Sequence, residues 1–306
     1  MRILITGGVG FIGSNLTEFL LKKGHEIILV DDLSTGKIEN INHLLDRLQF
    51  VEQKVELLDL SSFENVDAVI HLAAQVSVPF SISEFKQSSS TNILASINVV
   101  DFCSKHNIPL IYASSSAVYG EMEQGNDNQS NVDLLSPYAV DKYVLELYTK
   151  VSKELYQLSS IGLRFFNVYG PKQDPTSSYS GVISIFVDRL IKELPIHING
   201  GHQTRDFIYV HDVVRCIHNS LEVVVSSCMC ERINVLTGTV TSIDTLADIL
   251  SDYIGSPVKK IYKPMEPGDP EKSNGTTEKM TEILNIKPDS MVAITDGLKR
   301  TIDFLN

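Results

Sequence analysis

The chain has 306 residues, enough for one large or two modest domains around a substantial core. Hydrophobic residues make up 43% and charged residues 21%, with a formal net charge of −12, so no basic surplus is left for nucleic acid or an anionic membrane. No run reaches the roughly 18 apolar residues of a bilayer span and the N-terminus has no leader pattern, which leads us to expect a soluble, cytoplasmic protein.

From the N-terminus, Arg2 to Thr6 form an apolar run of strand length, followed by Gly7, Gly10 and Gly13 at the spacing G-x-x-G-x-x-G. A helical pattern begins at once, with apolar residues at Phe11, Ile12, Leu16, Phe19, Leu20 and Leu21. Strand, glycine turn and helix in this order set a diphosphate on a helix N-terminus. Gly7 is expected to allow the tight turn, Gly10 to let the backbone approach the ligand, and Gly13 to let the helix pack on the strand. The next run, HEIILVDD, reaches Asp31 18 residues after Gly13, where a dinucleotide-binding unit carries its ribose carboxylate. A carboxylate there suits ribose hydroxyls and repels a 2′-phosphate, which favours NAD over NADP. Asp32, Leu33, Ser34, Thr35, Gly36 and Lys37 follow it.

Strand-like runs continue with LQFVEQ, AVIHLAA, LIYASSS and IGLRFFNVYG, and helical patterns lie at 13–23, 91–106 and 137–155. This alternation, with nearly continuous apolar strands, implies an α/β fold whose parallel sheet is covered on both faces, with ligands at the carboxyl ends of the strands. In the HLAAQ stretch the small Ala73 and Ala74 would let a cofactor lie close to the backbone. Asn92 is read as beginning the next helix, as an N-cap or as a cofactor-site residue. Ser114, Ser115 and Ser116 end a strand, and SPYAVDK then places Tyr138 and Lys142 four apart on one helix face. A phenol is a poor base at neutral pH, but an ammonium and a cationic nicotinamide beside it favour the phenolate, which takes roughly 4 kcal/mol of differential stabilisation. The four cysteines, Cys103, Cys216, Cys228 and Cys230, contain no C-x-x-C pair and the eight histidines show no ligand spacing, so reduced thiols and no metal are expected.

The motifs TGGVGFIGS, DDLSTGK, HLAAQ, YASSSAVYG, SPYAVDKY, LRFFNVYGP and TRDFIYVHDV follow one another in an order that resembles the extended short-chain dehydrogenase/reductases of the NAD-dependent epimerase/dehydratase family, from Met1 to about residue 300. Within that family SPYAVDKYVLELY and GLRFFNVYGPKQDPTSSYSGVI most resemble bacterial UDP-N-acetylglucosamine and UDP-glucose 4-epimerases. The resemblance implies a Rossmann-type doubly wound parallel sheet, residues 1–168, that binds NAD, and a smaller C-terminal substrate-binding domain, residues 169–306, with a segment near 206–238 returning to the first. It implies cofactor contacts from Gly7, Gly10, Phe11, Ile12 and Gly13, from Asp31, Asp32, Ser34, Thr35 and Gly36, and from Lys54, Val55, Leu72, Ala73, Ala74, Gln75 and Asn92. Ser115, Tyr138 and Lys142 match the catalytic hydroxyl, the base and its partner, the last two also touching the cofactor. Substrate contacts are implied for Ser77, Ser115, Ser116, Tyr138, Asn167, Val182, Arg205 and Ser273, and a homodimer through a four-helix bundle of the helices near 91–106 and 137–155.

Two positions depart from the family pattern. Lys54 stands where an aspartate usually touches adenine, and Glu266 stands where a second diphosphate arginine is usual. The activity implied is reversible oxidation at C4 of a UDP-hexose, UDP-GlcNAc/UDP-GalNAc first and UDP-Glc/UDP-Gal also. A 4,6-dehydratase or decarboxylase would carry an acid where this chain has Ala117. A uronate 4-epimerase would usually carry Thr in place of Asn167, and a non-catalytic NAD-binding sensor would be expected to have lost the tyrosine or the lysine.

Overall fold

The computed structural model describes residues 1–177, 180–255, 259–265 and 269–305. Glu266 lies outside them. The first half runs β1 (Arg2–Thr6), α1 (Phe11–Lys22), β2 (Glu26–Asp31), β3 (Gln49–Glu52), β4 (Ala68–His71), α2 (Val78–Ser83), α3 (Phe85–His106), β5 (Leu110–Ser115), α4 (Pro137–Tyr156) and β6 (Ser160–Phe165). After Phe166 come β7 (Asn167–Tyr169), α5 (Val182–Ile191), β8 (Ile196–Asn199), β9 (Thr204–Tyr209), α6 (Val210–Ser226) and β10 (Cys230–Val235). The chain ends with β11 (Val240–Ser242), α7 (Ile243–Ile254), β12 (Lys260–Lys263), β13 (Lys272–Ser273), α8 (Glu278–Leu284) and α9 (Ile294–Leu305).

Seven strands form one parallel sheet in the order β10-β6-β5-β4-β1-β2-β3. Period-two alternation explains why its strands read as unbroken apolar runs. On β1, Ile3 and Ile5 join a core with Leu16 and Leu20 of α1 and Val213 and Ile217 of α6. Leu4 between them points the other way, into a core with Val99 of α3 and Leu145 of α4. The order reverses between β1 and β4, and a crevice opens there at the carboxyl ends of the strands. A pin closes its floor: Thr6 Oγ1 lies 2.7 Å from His71 Nδ1. Burial keeps that imidazole neutral, holding its pKa down at about 3.

The remaining strands form smaller sheets. β9 sits between β11 and β13 and also pairs with β7, while β12 pairs with β8. A separate core of Tyr169, Phe186, Phe207, Tyr209, Leu246 and Leu298 backs these elements. Two expectations need correction. The run IGLRFFNVYG is not one strand, because the chain leaves the large sheet after Phe165 and enters the small one at Asn167. The helix expected from residue 91 begins at Phe85, since its first turns carry polar residues that bond inward and hide the apolar period. Among the described residues no helix is long and apolar enough to cross a membrane.

Candidate active site

The crevice continues between the large sheet and the small sheet built on β9 as a cleft of about 680 Å³. One wall is built mostly from backbone. Gly7 has φ +71°, and a Cβ there would lie 2.6 Å from the Ala73 nitrogen, so the turn and the HLAAQ stretch can approach only without a side chain. At Gly13 a Cβ would collide with the Gly7 carbonyl, which makes this glycine a contact between helix and turn rather than between helix and strand. Gly10 caps α1 without a side-chain bond, and the first turn holds no acid. The N–H groups of that turn are therefore available to an anion in the cleft.

Asp31, at the end of β2, is buried with each oxygen on a backbone donor: Oδ2 accepts from Val9 at 3.0 Å and Oδ1 from Leu33 at 2.9 Å. Burial pushes its pKa up and these bonds oppose the rise. The Gly10 N–H bears on the same carboxylate, and the lone pairs that remain can meet ribose hydroxyls. An uncapped helix start beside a carboxylate fits the diphosphate and ribose of a dinucleotide.

Gly7, Gly10, Phe11, Ile12, Gly13, Asp31, Asp32, Ser34, Thr35, Gly36, Val55, Leu72, Ala73 and Ala74 all line the cleft. Lys54, Gln75 and Asn92 are not among the lining residues, and Gln53 takes the place beside Val55. Asn92 lies inside α3 and not at its start. Its Oδ1 accepts from the Gln75 N–H at 2.7 Å, and its Nδ2 donates to Gln75 O and to Asp141 Oδ2, both at 3.0 Å. Asn92 thus braces the HLAAQ stretch from behind.

The chemistry is set where β5 meets α4. Ser136 caps α4 by accepting from the Ala139 N–H at 3.2 Å, and Pro137 occupies the first turn, so Tyr138 and Lys142 emerge at the helix start. Of the three serines, Ser114 donates to Glu146 Oε1 at 2.6 Å and is committed to the interior. Ser115 accepts from the Ala117 N–H at 3.1 Å and is a hydrogen-bond partner of Tyr138. Lys142 donates to Ala113 O at 2.9 Å, and its Nζ stands 5.8 Å from the Tyr138 ring centroid.

Burial pushes the Tyr138 phenol up to about 12, against the Ser115 hydrogen bond. Burial also brings the Lys142 ammonium down to about 8, against the Asp141 carboxylate. The activation expected from the lysine and a cationic nicotinamide together has to work against this desolvation. Behind the serines, Glu146 pairs with Arg164 in the interior at 2.6 Å, Arg164 donates to the Tyr119 hydroxyl at 2.8 Å, and that hydroxyl donates to Asn234 Oδ1 at 2.7 Å. This buried network fastens β5, β6, β10 and α4 to one another.

The opposite wall carries side chains on short strands. Asn167 Nδ2 donates to Asp206 O at 3.1 Å and reaches Ser273 Oγ at 3.5 Å. Arg205 is buried, with one bond to Thr204 O at 2.8 Å and one to Asp269 Oδ1 at 2.5 Å. Ser273 pairs with Arg205 across β13 and β9. Ser115, Ser116, Tyr138, Lys142, Asn167, Arg205 and Ser273 line the same cleft. Ser77 and Val182 are not among the lining residues. Ser77 caps α2 by accepting from the Phe80 N–H, and Val182 opens α5 against the small core. Lys37, Asn40, Tyr119, Phe166, Lys172 and Asp174 also line the cleft and were not singled out. Lys37, Lys172 and Asp174 stand in recognised motifs, and their charges were the available signal.

The sequence profile described as "NAD dependent epimerase/dehydratase family" matches residues 3–235. The "Putative UDP-glucose 4-epimerase" of Methanocaldococcus jannaschii is 36% identical, over 99% of this chain and 98% of its own. The crystal structure of the Thermotoga maritima UDP-glucose 4-epimerase with UDP-glucose superposes with a TM-score of 0.92 at 35% identity, covering 100% of this chain and 98% of that one. A UDP-N-acetylglucosamine 4-epimerase from Methanobrevibacter ruminantium, in complex with UDP-N-acetylmuramic acid, also gives 0.92 at 35% identity, covering 99% and 97%. Matched along nearly its whole length and carrying the dinucleotide cleft its glycine turn requires, this chain belongs to the NAD-dependent epimerase/dehydratase family, and NAD is its cofactor.

Proposed function

We propose that the protein is a UDP-hexose 4-epimerase whose principal reaction is the interconversion of UDP-GlcNAc and UDP-GalNAc, with UDP-Glc and UDP-Gal also accepted. The observation that carries the sugar assignment is Ser273. A small side chain stands beside Asn167 and Arg205 in the cleft lining, which leaves room for an acetamido group and offers its amide a hydroxyl partner. Ala117 after the serines is also in the lining, and its methyl cannot do the acid–base work of a dehydratase at that position.

Tyr138 takes the proton of the sugar C4 hydroxyl, directly or through Ser115, and returns it after the 4-keto sugar has turned over in the cleft. NAD⁺, when bound, would supply an acceptor for the C4 hydride and a positive charge that favours the phenolate over the neutral phenol. Lys142, anchored on Ala113 O, keeps a cation at the phenol's ring, and Arg205 meets the substrate diphosphate. In this reading residues 1–166 with the returning α6 and β10 hold the cofactor and the rest hold the sugar nucleotide; the expected bounds 1–168 and 206–238 shift because β7 and β9 pair in the small sheet.

The same reading includes a homodimer through α3 and α4. Leu94 of α3 and Leu147, Val151 and Leu155 of α4 are exposed on these helices, an apolar surface of the kind that a second copy covers. Light scattering on wild type and on Leu147→Asp would test it, the variant running as a monomer.

The substrate test is a panel of UDP-Glc, UDP-Gal, UDP-GlcNAc, UDP-GalNAc and UDP-glucuronate, read by NMR at C4. The reading requires the N-acetyl pair to interconvert fastest. Interconversion of glucuronate alone would replace it.

A further inference from the structure

Residues 171–174, just beyond β7, cross from the sugar side of the cleft to the two elements that hold the dinucleotide. Four polar contacts mark the crossing. Asn15 of α1 donates to Pro171 O at 3.1 Å. Lys172 Nζ reaches Glu18 Oε2 of α1 and the carbonyl of Asn40, both at 3.3 Å. Lys37, six residues beyond the ribose carboxylate Asp31, pairs with Asp174 at 2.7 Å. Asn40 in turn donates to Val9 O in the glycine turn at 3.0 Å. Lys37, Asn40, Lys172, Gln173 and Asp174 line the cleft beside Gly10 and Phe11. Lys172 also holds φ +71°, a left-handed backbone that a lysine adopts only when its surroundings enforce it.

We infer that residues 171–174 form a strap across the dinucleotide, and that the Lys37–Asp174 and Lys172–Glu18 ion pairs retain the cofactor between turnovers. This inference rests on the epimerase reading, which supplies its chemical sense. The hydride removed from C4 is returned to C4, so each turnover leaves the cofactor as it began and nothing requires it to exchange. An enzyme with a net redox reaction would need the opposite, a cleft that opens every cycle. The strap therefore suits an epimerase, and it does so with charges that touch neither the sugar nor the proton.

The test follows exchange of bound NAD⁺ against heavy-isotope NAD⁺, read by mass spectrometry after rapid desalting of the holoenzyme. Exposed ion pairs are individually weak, so Lys37→Asp is expected to speed exchange about threefold to fivefold and Lys172→Met, which removes a nearly covered cation, about tenfold. The swap Lys37→Asp with Asp174→Lys should return the rate to within twofold of wild type, because it restores the pair with its polarity reversed. Wild-type exchange should quicken as salt is raised. Rates within twofold of wild type in both single variants at low salt would overturn the strap, and so would an acceleration that the swap fails to reverse. If Lys172→Met does not fold, the exposed Lys37–Asp174 pair decides alone. Failure of the underlying reading looks different: the wild type would then hold its NAD(H) but interconvert no UDP-sugar pair at C4, whatever its exchange rate.

Discussion

The two walls of the cleft bind by different means. The cofactor wall is backbone: a glycine turn, an uncapped helix start, and a carboxylate tied down by two main-chain N–H groups, all carried on a sheet buried on both faces. The opposite wall, proposed above to take the sugar nucleotide, is side chain: Asn167, Arg205 and Ser273 on strands of three, six and two residues. A backbone site is fixed by the fold and tolerates little change. A side-chain site can be altered one residue at a time, so specificity belongs on the second wall.

The hardest test of this division acts on the chemistry between the walls. Tyr138→Phe should lower turnover by about 10⁴-fold while the NAD(H) content of the purified protein stays at the wild-type level. A variant that lost its nucleotide would show that the tyrosine belongs to the backbone-built wall after all. The neighbouring lysine gives a pH-dependent signal. Lys142 holds its proton less tightly folded, about 8 against an ordinary 10.5, so between those pH values the unfolded chain binds more protons and rising pH favours the fold. Over that window wild type should gain up to about 3 kcal/mol on Lys142→Met, measured by denaturant titration without substrate. Parallel curves would place the ammonium in water.

Ser273→Tyr probes the second wall. The N-acetyl pair should slow by about a hundredfold while the plain hexose pair changes little, because the ring fills space that only the acetamido group needs. Equal loss on both pairs would break the assignment of specificity to this wall. The smallest effect concerns charge. Arg205→Ala should weaken UDP-sugar binding about thirtyfold, partly because Asp269 is left facing the diphosphate without its partner. Removing Asp269 as well should recover part of the loss, and calorimetry at low salt would read both.

The same difference explains what could be read from the sequence. Gly7, Asp31, Tyr138 and Lys142 announce themselves because each role needs one residue type at one spacing. The apolar runs that became β1, β2, β4 and β5 were equally legible, since burial on both faces leaves no polar alternation to confuse them. Arg205 and Ser273 carry no local pattern of their own. Arg205 is brought to the site by strand pairing with residues far along the chain, and only resemblance to a family pointed there. Asn92 was misplaced because its role, two bonds to the backbone of Gln75, depends on a helix start hidden by polar residues. The burial that raises the Tyr138 phenol is a property of the packed molecule and has no signature in the sequence.

Phe166 is the single residue between the strand that ends beside Ser115 and the strand that begins with Asn167. That one-residue link holds Phe165, the partner of Ser115, and Asn167 within two Cα–Cα steps, about 7.6 Å at most, however the rest of the opposite wall changes. It works as a ruler. A redesign that replaces residues 269–274 would leave this spacing untouched, so the opposite wall can be rewritten without moving Asn167 relative to Ser115.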